Sequence, residues 1–122
     1  MIYKSIILII ITLSLSVLAK EPVTHVVLCW MDTTLTAEAI DALIDETQKL
    51  DEIPGVEKLT VGKPIQSDRP IVDDSFSFGM TMEFKSVEKM NAYLSNKRHT
   101  SFVTEKIKPH LVKLVVYDIG GE

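Results

Sequence analysis

Hydrophobic and polar positions follow two different periods along the first half of the chain. Residues 23–31, VTHVVLCWM, are β-rich and end at a polar Asp-Thr-Thr run, which predicts a strand. Thr36 is a suitable N-cap for a helix over residues 37–51. The apolar positions of that helix recur at helical spacing: Ile40, Leu43, Ile44 and Leu50. A Pro-Gly turn at 54–55 precedes residues 57–63, whose alternation predicts a second strand.

After a loop at residues 64–73, the second half of the chain has the same order of predicted elements: strand, helix, strand. The clearest period-two pattern in the sequence predicts a strand with one buried face, formed by Phe76, Phe78, Met80, Met82 and Phe84. Ser86 caps the next predicted helix, which contains Tyr93 on its apolar side and fades at Ser95-Asn96. Thr100 or Ser101 then begins a short helical piece that Pro109 limits. Residues 111–119, LVKLVVYDI, form the last predicted strand.

The order strand, helix, strand, strand, helix, strand is that of the α+β, ferredoxin-like βαββαβ fold. This fold has an antiparallel sheet with both helices on one face, so its other face should alternate with polar residues. The first and last predicted strands are instead apolar on both faces. On the first strand, one apolar face is formed by Val26, Leu28 and Trp30, and the other by Val23, Val27, Cys29 and Met31. The pattern therefore predicts a homodimer that packs sheet against sheet.

The first 19 residues have a different character from the rest. Lys4 precedes an apolar run that is too short for a comfortable membrane span, and the run ends in Val-Leu-Ala. This pattern predicts a signal peptide over residues 1–19, cleaved after Ala19, with an uncleaved anchor as the alternative. The mature domain is then residues 20–122, exported to the periplasm or secreted. Loss of Lys4 changes the formal net charge from −4 to −5.

The composition narrows the classes of partner and chemistry. The acidic balance argues against nucleic acid and, once the signal is cleaved, against an anionic membrane surface. A single cysteine, Cys29, excludes an internal disulfide, and its apolar neighbours predict a small buried side chain rather than a nucleophile. The three histidines lack the short spacing of a metal pair, and no phosphate-binding glycine loop or serine nucleophile elbow is present. We therefore predict neither a metal nor a cofactor.

Proton-transfer residues remain as the candidate chemistry. Tyr93 lies on the second helix and His99 follows the break at Ser95-Asn96, which allows the two side chains to converge. Asp118, near the end of the last strand, could hold the second nitrogen of a histidine. His25 lies on the first strand, where a hydrogen-bonded core residue is the more frequent role. Each of the four also has a purely structural explanation, and a packed interior around His99 would favour it.

These residues and several short motifs resemble the stress-responsive α/β-barrel (Dabb) domain family. The resemblance spans about His25 to Asp118 and includes IPGV at 53–56, Tyr93 followed by His99, and the terminal Tyr-Asp. It implies a dimeric α/β barrel. A plant polyketide cyclase of that family works without a cofactor, and by resemblance His99 would be the base, Tyr93 the phenol donor and Asp118 the residue that orients His99. By the same resemblance, His25 matches a further histidine in the first strand of that enzyme and is a fourth candidate catalytic residue. That enzyme also has a first-helix tyrosine, which this chain lacks.

The sequence is compatible with three functions. The first is an exported homodimer that binds a small apolar or aromatic molecule, with acid–base chemistry through His99 and Tyr93. The second is a non-catalytic, structural or stress-related dimer in which the same residues tie the second helix to the last strand. The third is a cofactor-independent monooxygenase, which shares the dimeric fold but is not selected by any residue.

Overall fold

A computed structural model of the chain describes residues 21–120, together with Ile7, Ile9 and Ile10. Apart from those three isoleucines, the predicted signal peptide at residues 1–19 lies outside the described residues, as does its cleavage site. No helix within the described part of the chain is long and apolar enough to cross a membrane.

The elements follow the predicted order of strands and helices. The strands are β1 (Val23–Met31), β2 (Lys58–Gly62), β3 (Phe78–Phe84) and β4 (Leu111–Gly120). The helices are α1 (Ala37–Gln48), α2 (Val87–Ser95) and α3 (Lys97–Phe102). A 3-10 turn at Lys49–Glu52 extends α1, and a π-helical turn at Val103–Ile107 and a 3-10 turn at Lys108–His110 lead from α3 into β4.

The four strands form one antiparallel sheet in the order β2-β3-β1-β4. This topology confirms the predicted ferredoxin-like α+β fold. Alternate residues of β1 are buried from Val23 to Met31, because one face of the strand lies beneath the helices and belongs to the core. Two groups of buried side chains fill this core, one around Tyr93, Phe84 and Met82 and the other around Phe78 and Ile107.

Two elements begin two or more residues away from their predicted starts, for local reasons. The short helix after α2 begins at Lys97 rather than at Thr100 or Ser101, because the side chain of Asn96 accepts a hydrogen bond from the Arg98 backbone N–H and caps it. His99 therefore lies within α3 and not in the break before it. The strand β3 begins at Phe78 instead of Phe76, since Ser77 is used to hold β1 through its backbone and hydroxyl.

The helices cover β1 but leave β4 exposed. On the face of the sheet that the helices cover, Val27 lies opposite Val116 and Cys29 lies opposite Leu114. Val27 and Cys29 are buried, whereas Leu114 and Val116 are 46% and 43% exposed. We call Leu114 and Val116 the inner strip of β4. On the opposite, outer face, β4 presents Tyr117 and Ile119 to solvent as well.

Candidate functional site

A hydrogen bond across the sheet joins His25 to Asp118. The antiparallel register sets these two residues directly opposite each other on the inner face of β1 and β4. The Nδ1 atom of His25 lies 2.5 Å from Oδ1 of Asp118. His25 is only 4% exposed, while 42% of the Asp118 side chain is accessible. The pair therefore links a buried imidazole to a carboxylate at the solvent-facing edge of the sheet.

The break between α2 and α3 brings Tyr93 and His99 together. The backbone of Asn96 is extended, which ends α2 and starts α3 in a new direction. The two rings approach to a centroid distance of 4.6 Å at an interplanar angle of 47°. This convergence was predicted from the Ser95-Asn96 break. Tyr93 is completely buried and His99 is half-buried.

Tyr93 joins the two histidine-containing pairs. Its ring lies 6.4 Å from that of His25 and 5.2 Å from that of Phe84, measured between centroids. His25 also meets Phe84 edge-on. The four residues His25, Tyr93, His99 and Asp118, which we call the proton-transfer cluster, thus form one contiguous group that runs from the core to the edge of the sheet.

The hydrogen bonds assign a tautomer to each neutral imidazole. The carboxylate of Asp118 accepts from Nδ1–H of His25, and the carbonyl of Leu94 accepts from Nδ1–H of His99 at 3.0 Å. A neutral imidazole has one N–H and one lone pair, so both Nε2 atoms carry lone pairs. Each histidine can therefore accept a hydrogen bond or a proton at Nε2.

The hydroxyl of Tyr93 is buried without a hydrogen-bond partner, and within the described residues no other buried side-chain polar atom is left so. Burial also raises the pKa of the Tyr93 phenol well above its ordinary value, so the group keeps its proton at neutral pH. An unsatisfied buried hydroxyl costs about 1–3 kcal/mol, and native structures contain few. The cluster thus includes an unused donor.

His99 has a weaker hold on a proton than a histidine in water. Burial is the main cause that lowers the pKa of His99, the hydrogen bond to the Leu94 carbonyl acts in the opposite direction, and nearby His25 lowers the pKa further. His99 is thus held as a neutral imidazole near pH 7.

Two grooves on the surface lie apart from the proton-transfer cluster. One, of about 370 Å³, is between α1 and the segment after α3, and the other, of about 260 Å³, lies on the outer face of the sheet. Neither is lined by any of the four cluster residues. Tyr93 is completely buried, so side chains around it must move before a molecule can contact its hydroxyl.

The predicted site residues are brought together, with one pairing that differs from the expectation. Asp118 was expected to orient His99, but its hydrogen bond goes to His25, because the β1–β4 register makes these two direct neighbours. His99 is oriented instead by the Leu94 carbonyl. Sequence reasoning missed this partner, because a backbone acceptor leaves no mark in the residue types.

Other candidate chemistry is weaker. Cys29 is buried, as predicted, and burial raises its pKa to about 11, so almost no reactive thiolate is present at neutral pH. In the part of the chain that the structure describes, no cluster of three or more His, Cys, Asp or Glu side chains could hold a metal ion.

A family model described as "Stress responsive A/B Barrel Domain" matches residues 23–120. The comparison with curated proteins gives no match. A Dabb family protein with a ferredoxin-like fold from Mesorhizobium loti superposes with a TM-score of 0.70 at 20% identity, covering 84% of this chain and 99% of that one.

Two further solved structures are similar. A dimeric ferredoxin-like protein of unknown function from Thermobifida fusca has a TM-score of 0.68 at 18% identity, with 84% and 92% of the two chains covered. A hydroxynitrile lyase from Passiflora edulis has a TM-score of 0.73 at 21% identity, with 84% and 94% covered. At these identities the likeness establishes the fold.

Proposed function

The chain belongs to the stress-responsive A/B barrel domain family. We propose that it is an exported homodimer that binds a small apolar or aromatic molecule at the proton-transfer cluster. A proton would be transferred between the bound molecule and the cluster. The observation that carries the proposal is the buried hydroxyl of Tyr93, which lacks a partner. The Tyr93 ring lies beside two imidazoles that both hydrogen-bond through Nδ1.

The chemistry of the cluster defines what it would bind. Tyr93 has a phenolic donor to offer, and its raised pKa keeps the proton in place for a hydrogen bond to a carbonyl or hydroxyl oxygen of the ligand. The inner strip of β4 supplies half-exposed apolar surface next to Asp118. An aromatic or aliphatic body with one oxygen acceptor matches both features.

The hydroxynitrile lyase from Passiflora edulis supports the chemical part of the proposal only by analogy. It is an example of an enzyme built on this fold, whereas other similar structures are described as proteins of unknown function. Fold alone does not transfer a reaction, so the argument for this chain rests on its own cluster.

A dimer is supported by the outer face of the sheet. Tyr117 and Ile119 are 57% and 60% exposed there, and they continue the apolar face that Val26, Leu28 and Trp30 form on β1. Solved structures of similar fold from Thermobifida fusca and Jannaschia are described as dimeric. Export is proposed from the signal-like pattern of residues 1–19 alone.

Benzaldehyde is a suitable probe of binding, because it has an aromatic body and one carbonyl acceptor. In a nitrogen-15 NMR titration of the protein, we expect the backbone amide signals of Tyr93, His99 and Val116 and the imidazole signals of His99 to shift together and to saturate. Shifts confined to the groove between α1 and the segment after α3, or no saturable shift, would contradict binding at the cluster.

A non-catalytic dimer is the second candidate, and the His25–Asp118 bond favours it. That bond joins two neighbouring strands at 2.5 Å and would stabilise the sheet without any ligand. If the cluster serves only stability, its variants should lower the free energy of unfolding, and benzaldehyde should leave the cluster signals unchanged.

A further inference from the structure

The proton-transfer cluster contains two histidines with opposite surroundings. Resemblance to the plant polyketide cyclase of the family assigns the role of base to the histidine at position 99, with the aspartate on the last strand as the residue that orients it. In this chain the aspartate contacts the other imidazole. We propose that His25, held by Asp118, is the proton acceptor of the site, and that His99 is a neutral hydrogen-bond acceptor. This inference rests on the proposed function and names the acting residue within it.

The two imidazoles differ in the charge of the group that accepts their Nδ1–H hydrogen bond. A protonated His25 would face the Asp118 carboxylate at 2.5 Å and form an ion pair with it. A protonated His99 would face only the neutral carbonyl of Leu94 through the same ring nitrogen. Charge-assisted hydrogen bonds are roughly twice as strong as neutral ones, so the proton is better stabilised on His25.

Burial and charge repulsion both act against a proton on His99. Burial disfavours a positive charge on His99, and a charge on nearby His25 disfavours it further. His25 is the more buried of the two, but its carboxylate partner is the compensation that a buried charge requires. A second cation within the cluster would have no such partner on His99, so His99 stays neutral while His25 accepts the proton.

Tyr93 lies next to both histidines. Its ring contacts those of both His25 and His99. In a proton abstraction, the C–H proton of the ligand would move to Nε2 of His25, and the bonding electron pair would stay on the ligand. The Tyr93 hydroxyl would then donate its hydrogen bond to the ligand oxygen on which negative charge develops.

The elimination of 5-nitrobenzisoxazole tests this assignment without knowledge of the natural ligand. A base removes one C–H proton of this neutral aromatic probe, the C–H electron pair forms the nitrile, and the N–O bond breaks to give a coloured phenolate. A positioned base typically contributes roughly 10²–10⁴ in rate. Denatured protein at the same concentration measures the contribution of unpositioned histidines.

Three variants separate the roles. His25→Gln should abolish the rate above that of denatured protein. Asp118→Asn, at a position whose side chain is 42% exposed, should give an intermediate loss. His99→Gln should keep the chemical rate within about tenfold of wild type and act mainly on KM. Thermal unfolding of each variant shows whether the fold is retained.

The nitrogen-15 chemical shifts of the imidazoles distinguish a positioning role of Asp118 from a loss of stability. In folded Asp118→Asn, the Nδ1–H signal of His25 should change its chemical shift, while that of His99 should not. If instead the Nδ1–H signal of His99 responds, or none does, Asp118 does not position His25.

The outcomes distinguish this inference from the proposed function. If wild-type turnover survives in His25→Gln and is lost in His99→Gln, the assignment of the base is overturned while the proton-transfer function stands. An equal loss in both variants also overturns it. If wild-type protein shows no turnover above that of denatured protein, the inference fails, and if benzaldehyde also fails to bind at the cluster, the proposed function fails with it.

Discussion

Replacing Tyr93 with phenylalanine removes a single oxygen atom from the middle of the core. The hydroxyl is fully buried and has no partner, so its removal eliminates a desolvation penalty of about 1–3 kcal/mol. The loss of dispersion contacts around one atom, about 0.1–0.2 kcal/mol for each contact, offsets part of this gain. We therefore expect Tyr93→Phe to raise the free energy of unfolding by about 1 kcal/mol.

The assay is urea unfolding followed by circular dichroism, at one fixed protomer concentration because dimer stability depends on concentration. A gain of about 1 kcal/mol also raises the melting temperature by several degrees in a domain of this size. The same variant should lose preference for ligands that carry an oxygen acceptor. A group that lowers stability and supports binding is the signature expected of a functional residue.

Thr47→Val is the matched control. The hydroxyl of Thr47 is also fully buried but donates to the Leu43 carbonyl at 2.6 Å, so its removal should lower stability by about 1 kcal/mol. The two variants should thus change stability in opposite directions. If Tyr93→Phe lowers stability as Thr47→Val does, the Tyr93 hydroxyl has a hydrogen-bond partner in solution. It is then not an unpaired donor that a ligand could use.

Three further predictions address the rest of the structure. The lowered pKa of His99 means that the unfolded chain binds more protons than the folded chain below about pH 6.5, so stability should fall as pH drops from 7 to 5. His99→Gln should flatten this pH dependence in urea titrations. An unchanged slope of stability against pH in the variant would contradict the prediction. Tyr117→Asp should convert a dimer to a monomer by light scattering, whereas Val87→Asp, at an equally exposed position on α2, should not; a dimer in both would exclude the outer face as the interface. The exposed Arg98–Glu52 ion pair, at 2.7 Å, should contribute less than about 1 kcal/mol in a double-mutant cycle.

The fold could be predicted because its signals are local and repeated. Each periodic pattern lies within one element, as with the helical spacing in α1 and the alternation in β3 of Phe78, Met80, Met82 and Phe84. The order of the elements along the chain leaves few topologies open. The start of α3 was misplaced for a related reason. Asn96, Thr100 and Ser101 are all competent N-caps, and only the folded backbone decides which one is used.

Within the candidate site, the contact between Tyr93 and His99 could be predicted, but the partner of Asp118 could not. The residue types and the break after α2 identified Tyr93 and His99 as neighbours. Whether Asp118 reaches His25 or His99 depends on the register between β1 and β4, strands that are far apart in sequence and could slide by one residue with a reversal of every side chain. The missing partner of the Tyr93 hydroxyl is likewise a property of packing, which no residue pattern encodes.

The proposed function requires that the Tyr93 hydroxyl, unpaired in the free protein, donates a hydrogen bond to a bound ligand. The most direct test compares the affinities of benzaldehyde and toluene, which share an aromatic body but differ in the oxygen acceptor, for wild-type protein and for Tyr93→Phe. Wild-type protein should prefer benzaldehyde, and the variant should lose this preference while it still binds toluene. An equal preference in both proteins, or no binding of either ligand near Tyr93, would contradict the claim.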